Sequence, residues 1–178
     1  MENKRKAILD TATELFSANG YHAVGIDRII ADAGVAKMTM YRHFPSKNCL
    51  VVEVLKVQAR VSSEFLSECV AGIDNPEAQL KAVFRWHDRW FHTPSFHGCM
   101  FAHAASEFND KTNEIHQVSA AQKQQFAAFV RDVLKCLTNS CNVCGARRAA
   151  ARLEQQCLGI RNEQQSRTRS RKFVLCRR

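Results

Sequence analysis

Glycine and proline are scarce in this chain, at 7 and 3 of 178 residues. That is too little turn punctuation for a many-stranded all-β fold, and the 46% apolar content excludes disordered, collagen-like and low-complexity classes. Long apolar runs are also missing. The longest, residues 126–130 (FAAFV), falls far short of the roughly 20 residues a membrane-spanning helix needs, so no membrane partner is expected. Lys4, Arg5 and Lys6 are followed by Asp10 and Glu14, which interrupt any signal-peptide core. A cytoplasmic protein is expected, and its 8 cysteines then read mainly as reduced thiols. Acidic charge is short, with 26 Lys and Arg against 17 Asp and Glu. The resulting +9 favours a polyanionic partner.

The location of that charge matters more than its sum. Residues 1–60 carry +3, residues 61–140 carry −2 and residues 141–178 carry +8. Residues 161–172 (RNEQQSRTRSRK) contain no apolar side chain, so residues 161–178 are expected to form a basic, disordered tail. Catalytic signatures are lacking too. There is no phosphate-cradling glycine loop, nucleophile elbow, His-Glu-x-x-His or pair of acids at evident catalytic spacing, so neither an enzyme nor a cofactor is expected.

What is present is helical periodicity. Ile8, Ala12, Leu15 and Phe16 fall on one helix face, and Asn19-Gly20 supplies a left-handed stop. Ile26, Ile29, Ile30 and Ala33 make a short second helix ending at Gly34. A third begins near Lys37 and must end before Pro45. Ser46 can cap a fourth, with Leu50, Val54, Val57, Val61 and Phe65 as its core stripe. Asn75-Pro76-Glu77 opens a fifth carrying Leu80, Val83, Phe84, His87 and Phe91. A helix over about 100–108 and a long one ending near Leu137 follow. The predicted fold is all-α: a three-helix head over residues 1–47, a helical body over 48–160, and the tail.

Residues 26–44 have the organisation of a helix-turn-helix, with Gly34 in the turn. On the second of these helices Met40 and Phe44 can face the core. Lys37, Met38, Thr39, Tyr41, Arg42 and His43 spread over the remaining circumference, a cationic and hydrogen-bonding arc suited to phosphates and base edges. A merely solvated polar face has the same pattern. The run from Gly34 through Lys37-Met38-Thr39-Met40-Tyr41-Arg42-His43-Phe44-Pro45-Ser46-Lys47, with Phe16…Gly20-Tyr21 upstream, resembles the N-terminal domain of TetR-family transcriptional regulators. The resemblance covers residues 5 to about 55. It implies a homodimeric repressor on double-stranded, pseudo-palindromic operator DNA, released by a small-molecule effector. It assigns the six arc residues to DNA and Lys47 to a phosphate. Ala36 and Gly25 stand where such proteins usually carry a capping Ser or Thr.

In the body, five of the seven histidines lie within thirty residues of one another among many aromatics. Trp86, His87, Trp90, Phe101 and His103 are candidates for an aromatic-walled effector pocket; ordinary core packing is the plainer reading. Cys141 and Cys144 form a C-x2-C pair near Cys136 and Cys157, a weak zinc or thiol-switch signal beside the plainer reading as ordinary thiols. Phe126, Phe129, Val133 and Leu137, with Leu153 on a further short helix over about 146–160, are the candidate dimer face. Two alternatives stay open: a regulator sensing metal or thiol oxidation through Cys and His, and a non-specific nucleic-acid binder acting through the arginine-rich tail.

Overall fold

The computed structural model describes the backbone of residues 2–140 and the side chains of residues 3–136. Leu153, Cys141, Cys144, Cys157, the expected helix over 146–160, the tail and the side chain of Leu137 lie outside the described residues. Among the described residues all regular structure is helical: α1 (Glu2–Asn19), α2 (Ile26–Asp32), α3 (Lys37–His43), α4 (Lys47–Val70), α5 (Pro76–Phe91), α6 (Met100–Glu107) and α7 (Glu114–Ser140). No described helix is long and apolar enough to cross a membrane. The chain divides into two compact units. Among the described residues, one comprises the chain up to Ala71 with Cys99–Ala128, and the other Gly72–Gly98 with the helix from Phe129 to Ser140.

Turn chemistry sets the boundaries of the first helices. Gly20, at φ +84°, donates to the Phe16 carbonyl at 3.0 Å and closes α1 in a left-handed cap. Gly34, at φ +62°, closes α2 in a Schellman arrangement. Val35 N–H reaches Ile30 O and Gly34 N–H reaches Ala31 O, each at 3.2 Å. Any residue with a Cβ is disfavoured at both positions. Ser46 caps α4 by accepting from Cys49 N–H at 3.1 Å, and Asn75 caps α5 from Glu77 and Ala78 ahead of Pro76.

The core of the first unit gathers Ile8, Ala12, Leu15 and Phe16 of α1 with Ile29, Met40, Phe44 and the first turns of α4. Phe101, Ala104 and Ile115 complete it, so α6 and the start of α7 share one core with the head. Arg5 ties α1 to its neighbours twice: its guanidinium lies over the Phe44 ring at 5.4 Å and pairs with Glu53 at 2.6 Å. The α4 stripe departs from expectation at its far end, where Phe65 is 48% exposed and Leu66 is buried. At 100° per residue, Leu66 sits about 160° around the helix from Leu50, so the buried face rotates over these roughly four turns.

Candidate nucleic-acid interface

The helix-turn-helix comprises α2, the Gly34 turn and α3. Met40 and Phe44 are buried, which fixes the roll of α3 and leaves the opposite arc outward. Met38 is 77% exposed and Tyr41 40% exposed, and among the described residues Phe65 is the remaining large apolar side chain left out of the core. Lys37 and Arg42 are exposed beside them, while Thr39 and His43 are half-buried. The structure thus brings all six arc residues onto one short helix, four residues from a buried anchor at most. Lys37 Nζ stands 3.3 Å from Asp27 on α2, a solvent-exposed pair that holds the ammonium only loosely.

Lys47, at the first position of α4, is half-buried and donates to the His22 carbonyl at 3.4 Å. Burial lowers its pKa, and the negative charge of Glu107 partly offsets that. Neither α2 nor α3 has a side-chain acceptor at its N-cap, since Gly25 and Ala36 leave their first turns to backbone contacts alone.

One feature of the head lay beyond the sequence reading. The carboxylate of Glu107, at the end of α6, accepts from Tyr21 N–H at 3.0 Å and from His22 N–H at 2.7 Å. His22 Nε2 lies 3.1 Å from the Glu107 carbonyl oxygen, and its ring packs on Phe108 at 4.7 Å. The Tyr21 hydroxyl donates to Met100 O at 3.1 Å, and burial pushes that phenol's pKa well up, with nearby Cys99 and Glu107 adding to the effect. The Ser106-Glu107-Phe108 run marks a helix end, but nothing in it signals a partner more than eighty positions away.

In the second unit, the aromatic residues of α5 pack on one another. Trp86 stacks on Trp90 at 5.5 Å, Trp90 meets Phe96 edge-on at 4.9 Å, and His87 lies between Trp86 at 4.7 Å and Phe91 at 5.9 Å. His87 is buried, with Nδ1 at 2.9 Å from Val83 O. Trp86, His87 and Trp90 are therefore brought together. Phe101, buried, and His103, half-buried, lie on α6 in the first unit. His92 and His116 likewise spend a ring nitrogen on a backbone carbonyl, Asp88 O and Phe108 O. Among the described residues no three His, Cys, Asp or Glu side chains group as a metal-ligand set. Cys136 is exposed. On α7, Phe126 and Phe129 are half-buried, and Val133 is already buried within the single chain.

Residues 8–54 match the model of the tetR family of bacterial regulatory proteins. The chain is 33% identical to a TetR-family transcriptional regulator from Streptomyces coelicolor, covering 76% of this chain and 71% of that one with a TM-score of 0.73. It is 24% identical over 135 residues to the transcriptional regulator LmrA of Bacillus subtilis, 75% of this chain and 72% of LmrA. Over 55 residues, 31% of this chain and 25% of the relative, it is 44% identical to the transcriptional activator FasR of Mycolicibacterium smegmatis.

Proposed function

This chain belongs to the TetR family of transcriptional regulators, and from that premise we propose that it acts in the cytoplasm as a homodimeric repressor released from its operator by a small molecule. The head of residues 1–47 holds DNA, and residues 48–160 serve effector binding and dimerisation. Lys37, Met38, Thr39, Tyr41, Arg42 and His43 face the major groove and Lys47 a phosphate. The observation that carries this reading is the outward pair Met38 and Tyr41, flanked by Lys37 and Arg42 on a helix whose other face is anchored by Met40 and Phe44. An apolar side chain left in water beside cations suits contact with thymine methyls and sugar–phosphate edges. A dimer with one such helix per subunit reads half-sites about one helical turn, or a small multiple, apart.

The effector reading rests on the ring cluster of Trp86, His87 and Trp90 within the second unit. Phe126, Phe129, Val133, Leu137 and Leu153 are assigned to the dimer face. An electrophoretic shift series tests the DNA reading. Tyr41→Ala and Lys47→Ala should each weaken operator binding, and unchanged binding for both would refute it.

A further inference from the structure

Glu107 is tied to the head by more polar contacts than any residue of the reading arc. Both carboxylate oxygens accept backbone N–H groups, at Tyr21 and His22, and its own carbonyl faces His22 Nε2. The fit is close: a Cβ on Gly20 would come within 2.8 Å of Glu107 Oε1 and displace this carboxylate, and the positive φ favours glycine there independently. Charge-assisted bonds of this kind are roughly twice as strong as neutral ones, and two on adjacent amides fix a peptide's orientation as well as its position. This matters because His22 is held at both its N–H and its ring, and its carbonyl, on the following peptide, is where Lys47 Nζ donates, at 3.4 Å. The chain of contact therefore runs Glu107, His22, Lys47, all within the first compact unit.

We propose that Glu107 is a positioning residue for DNA binding: by holding the connection between α1 and α2, it sets the His22 carbonyl that holds the Lys47 ammonium toward the phosphate. This rests on the reading of Lys47 as a phosphate contact. A Glu107→Gln side chain keeps one acceptor and turns an N–H toward an N–H at the other, so His22 shifts while the bulk of the core is kept.

A double-mutant cycle on the full-length protein tests it, with operator affinity and its salt dependence read alongside thermal unfolding. Lys47→Ala should weaken binding to all sequences and lower the salt slope by about 0.9 per half-site. Glu107→Gln should weaken operator binding about tenfold and lower the slope similarly, yet by less than about twofold when Lys47 is already alanine. Additive effects with an unchanged slope for Glu107→Gln would overturn the proposal and make the residue structural only. An unchanged affinity for Lys47→Ala would overturn it differently, by removing the phosphate contact it depends on. Should Glu107→Gln unfold the head, Phe108→Leu, which loosens the packing on His22 and leaves the carboxylate in place, should show the same dependence on Lys47; additivity there would also refute the proposal.

Discussion

Helices α3 and α5 hold similar materials and use them oppositely. Each mixes aromatic, basic and histidine side chains on a short helix. In α3 the anchors are buried and Met38 and Tyr41 are left exposed among the described residues. In α5, Trp86, His87, Trp90 and Phe91 lie 4.7–6.2 Å from their ring neighbours, and Phe96 closes on two of them. A binding surface is readable where the fold leaves an apolar group unsatisfied. Where rings satisfy each other, the chemistry is visible and the ligand is not.

The sharpest way to break the contrast is to remove an anchor of α3. Phe44→Ala should cost about 3–5 kcal/mol, and operator binding should disappear together with the folded head, as seen in parallel calorimetry and shift assays. Tyr41→Ala, on the outward face, should leave the unfolding midpoint in place and lose about 1–3 kcal/mol of operator binding, a factor of about 5–150. Were Tyr41→Ala to destabilise the protein as Phe44→Ala does, the outward face would be structural and the contrast void.

The matched change in α5 should do the reverse. Trp90→Ala removes the stack on Trp86 and the edge contact with Phe96, each such pair being worth about 0.5–1.5 kcal/mol. Unfolding should move to lower denaturant while operator affinity of the folded protein stays unchanged. A loss of affinity at constant stability would show that the α5 cluster acts on DNA.

The helix plan could be read in advance because its signals are local. Gly20, Gly34, Ser46 and Asn75-Pro76 each act within five residues of themselves, and the structure places all four where the backbone requires them. The outward arc of α3 was legible for the same reason, since Met40 and Phe44 set its roll within one turn. Glu107 was not, because its partners lie 85 and 86 positions away and only the packing of α6 into the head's core brings them together. Phe65 escaped for a geometric reason. The expected stripe stays within about 80° of arc from Leu50 to Phe65, whereas the buried face of α4 turns to Leu66, about 160° around from Leu50, and leaves Phe65 outside it.

The smallest expected effect concerns the caps, where the consecutive helices α3 and α4 differ by a single side-chain oxygen. Ser46 at φ −145° and ψ 164° accepts from Cys49 N–H, whereas Ala36 at φ −73° and ψ 145° has the extended backbone of a cap with no oxygen to offer. Thr39 N–H falls back on the Ala36 carbonyl at 2.8 Å, a tighter turn than the α-helix prefers. Ala36→Ser should therefore stabilise the free protein by about 1 kcal/mol and raise its melting temperature by about 2–4 °C, while Ser46→Ala should lower it by a similar amount. Because the added oxygen orders α3 before it meets DNA, operator affinity should rise by no more than the same free energy, about fivefold. A melting temperature unmoved by Ala36→Ser would mean that backbone contacts already satisfy this turn. The reading helix would then be as firmly set as the α5 cluster, and exposure alone would separate the two.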